Sequence, residues 1–225
     1  MEILPLGDSA LLINFQQEIN EEVNGQVMQW ANLISRELAD HTTFVSPAYC
    51  SLTVGYKSMH IHFEAIRSLL FSLKVNEFTV AKQDRILRVP VCYQGAYAPD
   101  LGSVAKMKDR SPEEIVELHT SKPYRVYMLG FLPGFVYLGK VGEELYTERK
   151  DLPLTAVPAG SVGIAGWQTG IYPSVTPGGW HLIGRTPVPL LLRDSHPSPF
   201  RAGDTVYFYP IDSSQFSESS IQYDV

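Results

Sequence analysis

Glycine and proline are concentrated in one stretch of this chain. Residues 121–210 hold 12 of the 17 glycines and 11 of the 16 prolines. Because proline interrupts ladders and helices, and glycine allows backbone conformations that other residues disfavour, long regular elements are excluded from this stretch. It predicts many short strands joined by tight turns, which is typical of a barrel or a closed sheet.

Net charge limits the partners of the chain. Its 225 residues carry 24 acidic and 18 basic side chains, a net charge of −6, whereas a surface that follows nucleic-acid phosphates needs a basic stripe. We therefore expect no nucleic-acid partner. Residues 1–84 have ten acidic and five basic side chains, and residues 85–225 have fourteen and thirteen. If the chain binds small anions, they are therefore expected to bind the second part, because the acidic first part repels them.

The sequence indicates neither a membrane segment nor a cysteine-based site. No apolar run approaches the roughly 20 residues that span a bilayer, and Met1–Pro5 lacks a basic signal-peptide start. Cys50 and Cys92 lie in apolar surroundings typical of buried thiols. His60 and His62 alternate without a third ligand and are expected to be solvated. We expect a soluble, cytoplasmic protein with no metal site and no membrane partner.

The first 84 residues have the pattern of a small α+β domain. Apolar residues in Ile3–Phe15 predict two strand segments around a kink. Asn20 and the acidic residues after it predict a helix start, and the apolar spacing over Val23–Leu38 is helical. Alternation predicts a strand at Ser51–Tyr56, and a second helical stripe covers Phe63–Leu73. This order of strands and helices predicts a small α+β domain in which two helices pack on one face of a sheet.

Residues 85–225 are predicted to form a mainly-β barrel domain that begins near Gln83-Asp84. Pro90 places the strand Ile86–Cys92 at a sheet edge or at a domain entrance. Ser111, followed by proline and two glutamates, predicts a helix N-terminus with a capping box. Short strands are predicted at Arg125–Leu129, Val162–Trp167, His181–Gly184, Val188–Leu192 and Thr205–Tyr209.

Three possible functional motifs are incomplete or have a simpler explanation. Gly134–Lys140 has the spacing of a phosphate-binding loop, but Val141 replaces the hydroxyl residue that holds magnesium, which favours a barrel strand and turn. Ser161 lacks the glycine of a nucleophile elbow, since Ala159 occupies that position. His119 is predicted to end the capped helix, where an imidazolium favours the helix C-terminus.

Polar and aromatic side chains are grouped on a glycine-rich frame between Val157 and Thr186. A mixture of amide, hydroxyl, guanidinium and aromatic groups is typical of a small-molecule pocket, although barrel turns around a filled core would have the same composition. The group consists of Gln168, Thr169, Tyr172, Trp180, Arg185 and Thr186.

Long strings of residues in both parts of the chain resemble one known family. They are Pro5–Leu12, Pro47–Val54, Met128–Gly139, Val157–Pro173 and Pro177–Pro187. In these strings the sequence is similar to the B subunit of the ATP-dependent bacterial 5-oxoprolinase, in a family that includes the Kip inhibitor of a sporulation kinase and allophanate hydrolase subunit 1. The resemblance covers nearly the whole chain.

The resemblance implies an α+β N-terminal domain followed by a cyclophilin-like β-barrel. It also implies two partners, the A subunit of 5-oxoprolinase and its carboxyltransferase-like C subunit, with ATP at a site shared with a partner. The family opens 5-oxoproline to glutamate with hydrolysis of ATP. Phosphorylation of the lactam oxygen would activate the ring and needs cationic stabilisation, for which Arg185 is the candidate catalytic residue.

The family strings also extend the candidate pocket for a ligand or partner. Some of its glycines, notably in the strings after Val157, would let a ligand approach the backbone. The candidate residues are Gly130, Phe131, Pro133, Gly134, Tyr137, Pro158, Gly160, Ser161, Gly163, Gln168, Thr169, Tyr172, Pro173, Gly178, Gly179, Trp180 and Thr186.

One departure from the family pattern bears on catalysis. Arg149 matches, but Leu154 stands where a second arginine is expected. If that arginine contacts an anion, either catalysis is impaired here or Lys150 compensates.

Two other functions stay open at this point. The Kip resemblance implies a regulatory module that binds a histidine kinase and suppresses its autophosphorylation, with Phe131, Phe135, Tyr137 and Tyr172 as interface anchors. The third alternative is a urea carboxylase or allophanate hydrolase type of subunit, visited by the biotin arm of a partner.

Overall fold

The computed structural model describes residues 1–73, 85–191, 198–218 and 220–224. Contacts divide the chain into two units, Met1–Gln83 and Asp84–Val225. Among the described residues, no helix combines the length and the apolar character that crossing a membrane requires.

The first unit is an antiparallel four-stranded sheet with two helices. Its elements are β1 (Glu2–Leu6), β2 (Ala10–Asn14), α1 (Glu21–Glu37), β3 (Thr42–Pro47), β4 (Ser51–Tyr56) and α2 (Phe63–Ser72). The sheet order is β1-β2-β4-β3. The Asn20 side chain accepts a hydrogen bond from the Val23 N–H at 2.8 Å, which confirms the predicted helix start.

One apolar core joins the helices and the sheet of this unit. Ile34 of α1, Leu70 of α2 and Leu11 of β2 are fully buried in it. The sequence does not indicate β3, because this edge strand has no buried residue and lacks apolar alternation. His60 and His62, which precede α2, are exposed as expected.

The second unit contains a closed barrel of seven strands, which confirms the predicted mainly-β barrel. Its elements are β5 (Ile86–Cys92), α3 (Leu101–Met107), α4 (Pro112–Thr120), β6 (Tyr124–Leu129), β7 (Val136–Gly139), β8 (Leu154–Val157), β9 (Ser161–Ala165), β10 (Gln168–Ile171), β11 (Thr176–Gly178), β12 (His181–Arg185), β13 (Thr205–Ile211) and β14 (Gln222–Asp224). The barrel order is β12-β9-β10-β7-β6-β13-β5, and β12 pairs with β5 to close it. β8 and β11 form a separate two-stranded ribbon.

β5 begins the second unit, but it is not the edge strand that Pro90 suggests. One edge of β5 pairs with β13 over its whole length, in parallel. The other edge pairs with β14 over Ile86–Arg88 and with β12 at Cys92. Pro90 has no N–H to donate, and it lies between the β14 and β12 pairings on that edge. The barrel therefore tolerates this proline without losing a described pair.

The predicted strand Val188–Leu192 is wrong over its described residues. Residues 188–191 contain no strand, and residue 192 lies outside the described residues. Pro187 and Pro189 cannot donate to a sheet ladder. Val188 and Leu190 are nevertheless buried in the barrel core. The apolar alternation thus reflects an irregular segment packed against the barrel.

Candidate functional site

Several of the predicted pocket residues lie in an aromatic cluster on the outer side of the barrel wall. Because side chains alternate along a strand, Tyr137 of β7 points away from Val136 and Leu138, which fill the barrel core. Phe135 lies at the centre of the aromatic cluster. The centroid of its ring is 4.9 Å from that of Tyr172 and 5.4 Å from that of Trp180. Phe135, Tyr172 and Trp180 are buried. These rings therefore pack on one another and do not line an open cavity.

Glycines in the neighbouring strands make room for these rings. A Cβ on Gly163 would lie 3.1 Å from the Trp180 Cβ, and a Cβ on Gly170 would lie 2.9 Å from the Trp180 ring. A Cβ on Gly178 would lie 2.5 Å from the Tyr172 hydroxyl. These glycines accommodate the protein's own side chains, and the approach of a ligand to them stays a prediction.

Gly160 fixes the backbone turn next to Arg185. Its φ is +80°, and a Cβ would lie 2.3 Å from the Thr186 carbonyl oxygen. The Gly160 N–H donates to the Tyr172 carbonyl at 2.7 Å, and the Thr186 N–H donates to the Gly160 carbonyl at 2.9 Å. The turn is therefore held against the ends of β10 and β12 at once.

Arg185 lies at a small pocket beside this turn. Its Nε–H donates to the Ala159 carbonyl at 2.7 Å, and its guanidinium lies 5.9 Å from the centroid of the Phe216 ring. The pocket has a volume of about 200 Å³, and Gly160, Pro173 and Thr186 also line it. The structure thus brings four of the predicted site residues together around one guanidinium group.

A second concave surface of about 420 Å³ is formed by the loop that follows β6. Gly130, Phe131, Pro133 and Gly134 all line it. Gly134 has a φ of +82°, and a Cβ there would lie 3.3 Å from both the Pro173 Cβ and the Leu190 carbonyl oxygen. Pro173 and Leu190 also line the Arg185 pocket. The two concave surfaces are therefore neighbours.

In this loop Phe131 is exposed to solvent and has an unfavourable backbone conformation. It is 66% exposed, and its φ of +66° lies in the left-handed region, which is unfavourable for a bulky residue. Of the four aromatic residues predicted as interface anchors, Phe135 and Tyr172 are buried and Tyr137 is half-buried. Phe135 and Tyr172 therefore cannot serve as surface anchors in this conformation.

Thr169 lies inside the barrel, so its assignment to an open pocket is wrong. Its hydroxyl donates to the Gly163 carbonyl at 3.1 Å and lies 2.9 Å from His119 Nε2. Since that hydroxyl proton is committed, we assign the imidazole proton to Nε2. Nδ1 then accepts from the Tyr93 hydroxyl at 2.8 Å. This chain of hydrogen bonds satisfies every polar group in it with a neutral imidazole.

The expectation of an imidazolium at a helix C-terminus is likewise corrected. His119 is fully buried, and burial lowers its pKa to about 3 from the usual 6.5. The side chain points into the barrel core, where its ring stacks on Phe208 at 4.8 Å between centroids. His119 is therefore neutral at physiological pH.

This buried histidine predicts a loss of stability in acid. Because its folded pKa lies below its unfolded value, its contribution is complete above about pH 6.5 and falls as the pH drops towards 3, by up to about 1.4 kcal/mol per pH unit. Urea unfolding at pH 7, 6, 5 and 4 should show a steeper decline for the wild type than for His119→Gln. Parallel declines for the two proteins would contradict a buried neutral imidazole.

The other candidates are dispersed around the turn. Ser161 is buried in β9, which disfavours it as an accessible nucleophile. Gln168 is half-buried at the start of β10, and Pro158 is exposed. Gly179 accepts a hydrogen bond from the Lys150 N–H at 2.9 Å.

Lys150, the residue expected to compensate for Leu154, forms an ion pair with Asp100. Its Nζ lies 2.6 Å from an Asp100 carboxylate oxygen, which also accepts the Leu182 N–H at 2.7 Å. Leu154 is exposed in β8. The ion pair between Lys150 and Asp100 therefore holds the segment before β8 against the barrel.

Arg149 is a positively charged residue near the aromatic cluster that is not among the candidate site residues predicted from the sequence. Its side chain is exposed, and it precedes Lys150, which forms the ion pair with Asp100. Burial raises the pKa of Tyr172 to about 12, and the positive charge of Arg149 opposes that rise. Burial raises the pKa of Tyr137 as well, and Arg149 again acts in the opposite direction. The Arg149 guanidinium therefore lies near both hydroxyl groups. In the sequence, the match of Arg149 to the family pattern was the signal that could have added it to the candidate residues.

Among the described residues, no group of three or more His, Cys, Asp or Glu side chains could hold a metal ion. The fold and the site thus define a closed-barrel protein with an arginine pocket at the barrel seam and a solvent-exposed aromatic loop beside it.

Known proteins extend this description. The sequence profile of the family "Carboxyltransferase domain, subdomain C and D" matches residues 1–200. The 5-oxoprolinase B subunit of Bacillus subtilis (strain 168) is 42% identical over 96% of this chain and 95% of its own length. The 5-oxoprolinase B subunit of Escherichia coli O157:H7 is 51% identical over 91% of this chain and 94% of its own length. The chain therefore belongs to the carboxyltransferase subdomain C and D family that includes the 5-oxoprolinase B subunits, which confirms the resemblance seen in the sequence.

Solved structures share the fold. The crystal structure of TTHA0988 matches 92% of this chain with a TM-score of 0.81 and 33% identity, and this chain spans 40% of the length of that one. The urea amidolyase of K. lactis matches 99% of this chain with a TM-score of 0.76 at 16% identity, which shows likeness of fold alone.

Proposed function

We propose that this chain is the B subunit of an ATP-dependent 5-oxoprolinase, which hydrolyses 5-oxo-L-proline to L-glutamate together with the A and C subunits in the cytoplasm. The observation that carries the proposal is the 42–51% identity to 5-oxoprolinase B subunits, over more than nine tenths of both chains. In this proposal the two units act as domains, residues 1–84 as an α+β domain and residues 85–225 as a cyclophilin-like barrel.

The proposed chemistry overcomes the low reactivity of a lactam. Transfer of the ATP γ-phosphoryl group to the lactam oxygen forms an O–P bond and breaks the bond to ADP. Water then adds to the activated carbon, and the ring C–N bond breaks as the nitrogen takes up a proton, which leaves an acyl phosphate. A second water adds to this acyl carbon, and the C–O bond to phosphate breaks, so that glutamate and inorganic phosphate are released. Negative charge develops on the transferring group, so a positioned cation lowers the barrier.

Arg185 is proposed to supply that cation. Its Nε–H is bound to the Ala159 carbonyl at 2.7 Å, which orients the guanidinium and leaves its other four N–H groups to bind phosphoryl oxygens. Phe216 packs beside it. The adjoining pocket of about 200 Å³ is smaller than the roughly 300 Å³ at which ligand sites usually begin. Its size supports an ATP site that is completed by residues of a partner.

Reconstitution tests the proposal directly. The purified chain is mixed with the A and C subunits, and glutamate release from 5-oxoproline is measured with and without ATP. The expected result is release that requires ATP and all three subunits. Release without this chain, or hydrolysis of urea or allophanate in place of 5-oxoproline, would contradict the proposal.

The exposed ring of Phe131 is proposed to bind the C subunit. A bulky residue held in a left-handed conformation and 66% exposed is poorly explained by packing within the chain. Backbone hydrogen bonds from Leu132 to Gly130 and from Phe135 to Leu132 hold the loop in place. The ring is thus preorganised as an interface anchor.

Substitution of Phe131 should therefore weaken assembly without weakening the fold. Phe131→Asn should raise the Kd for the C subunit by roughly 30-fold, the equivalent of about 2 kcal/mol, because a central aromatic anchor is lost. Asparagine tolerates the left-handed region, so the unfolding free energy should not fall. Calorimetric titration measures the Kd, with Phe71→Ser on α2 as a control for loss of an exposed ring. An unchanged Kd for the Phe131 variant would remove this loop from the interface.

The same ring supports a second candidate function, that of a module which binds a histidine kinase. Phe131 could then anchor the kinase in place of the C subunit. Inhibition of kinase autophosphorylation by the wild type and not by Phe131→Asn would favour this function over that of an enzyme subunit.

A further inference from the structure

A larger groove in the second unit has lining residues of its own. It has a volume of about 560 Å³ and runs between α4 and the end of β13. None of the described residues that line it also lines either concave surface of the candidate site. It is therefore a distinct concave surface, although Gln215 lines it and the next residue, Phe216, lines the Arg185 pocket.

The groove follows the whole length of α4. Pro112, Val116 and Thr120 line it at four-residue intervals, so one face of the helix forms a wall about 12 Å long at 1.5 Å per residue. Pro210 and Ile211 at the end of β13 line the opposite side. Four of these five lining residues are apolar, and their arrangement along the helix forms an elongated channel that suits a segment of chain better than a compact small molecule.

Carboxylates border this apolar channel without matching cations. Glu113 and Glu117 line it one helical turn apart, and Asp212 lines it from the other side. No lysine or arginine occurs among its described lining residues. Asp212 is held in place by a hydrogen bond from Gln94 Nε2 at 3.0 Å. The groove thus combines apolar lining residues with a negatively charged border.

The neighbouring glutamate, by contrast, has partners at the start of its own helix and in the turn before it. Glu114 lies 3.5 Å from Arg110 and accepts the Ser111 N–H at 2.7 Å, so its charge is used within the fold. In the part of the chain that the structure describes, neither Glu113 nor Glu117 forms an ion pair. The two acidic residues facing the groove are therefore available for positive charges from outside.

We propose that this groove binds a segment of a partner protein of the complex in which an apolar side chain is flanked by two lysine or arginine residues. The apolar side chain would lie against Val116 and Ile211, and the cations would pair with Glu113 and Glu117. Positions one helical turn apart are about 5–6 Å from each other, which neighbouring basic residues on a helix can match. This inference rests on the proposed function, since it assigns the contact to either the A or the C subunit.

Charge reversal in the groove tests the inference. Binding of the full chain to each of the two purified partners, the A and the C subunit, is measured by calorimetric titration at about 0.1 M salt. Glu113→Lys with Glu117→Lys should raise the Kd for one of them at least about tenfold, because like charges then face each other. Glu113→Gln with Glu117→Gln should give a smaller increase and a weaker salt dependence, and it covers the case in which the lysine variant does not fold.

A matched charge reversal serves as the control. Glu2→Lys with Glu18→Lys changes the net charge equally at two exposed positions of the first unit and should leave the Kd unchanged. Normal binding by both groove variants, or an equal loss in the control, would overturn the inference while the proposed function stands. A wild-type chain that bound neither partner would overturn both.

Discussion

Replacement of Arg185 by alanine is expected to lower kcat for ATP-dependent glutamate release at least about 100-fold, in line with the loss of a group that stabilises transferring charge. Arg185→Lys should recover only part of the rate, because an ammonium group lacks the fork of donors and the Nε–H that binds the Ala159 carbonyl. Steady-state assays of the reconstituted complex, at saturating ATP and 5-oxoproline, measure both variants.

The control for this experiment is Arg36→Ala, which removes an exposed guanidinium from α1 that pairs with Glu37. Its kcat should equal that of the wild type. Sedimentation velocity shows whether the Arg185 variants still assemble with their partners. An assembled, folded Arg185→Ala complex with kcat within about threefold of wild type would reject the catalytic role, since so small a change is below the loss of a transition-state interaction.

Gly160→Ala is expected to destabilise the second unit by at least about 3 kcal/mol. A left-handed backbone costs roughly 1–2 kcal/mol for a residue with a Cβ. The new methyl group would also lie 2.3 Å from the Thr186 carbonyl oxygen, so the backbone turn beside Arg185 must shift. Urea unfolding followed by circular dichroism measures the loss.

Gly166→Ala separates the two contributions. Gly166 has a φ of +57°, but a Cβ there would meet no atom within 4 Å. This variant should lose only about 1–2 kcal/mol, the cost of the backbone conformation alone. Equal losses in the two variants would show that the turn relaxes away from the Thr186 carbonyl oxygen at no cost in stability.

Local signals in the sequence predict local structure well in this protein. Ser111 accepts the Glu114 N–H at 3.1 Å and its own N–H donates to the Glu114 carboxylate, so the predicted capping box is confirmed. Both groups lie within one helical turn, and their chemistry is readable from adjacent residues. The distribution of glycine and proline predicts the barrel because these residues also act locally: each one limits or widens the backbone conformations at its own position.

Pairing between distant segments is what the sequence does not reveal. His119 is neutral because it is buried inside the barrel, where Tyr93 and Thr169, 26 and 50 residues away, form hydrogen bonds to its ring. A helix-end position alone predicts the opposite charge state. Likewise, Pro90 indicates an edge strand, and only the separate pairings of β14 and β12 along one side of β5 explain its place in the barrel.

The candidate site is predictable in part. Arg185, Gly160, Pro173 and Thr186 do share one pocket. Thr169 of β10 lies inside the barrel on His119, whereas Trp180, just before β12, packs in the aromatic cluster on the outer side. With four- and five-residue strands, a shift of one residue in an assumed boundary reverses the side on which a residue is expected.

Closure of the barrel has a thermodynamic consequence. In the described part of the chain, β12 meets β5 at the single pair Arg185 and Cys92, while Arg185 also pairs with Ser161 of β9. A ligand held by Arg185 would therefore add its contacts where the ring is joined by the fewest residue pairs. Because a ligand that binds only the folded state stabilises it by mass action, loading of the site and integrity of the barrel are linked equilibria. The melting temperature of the protein then becomes a direct reporter of site occupancy.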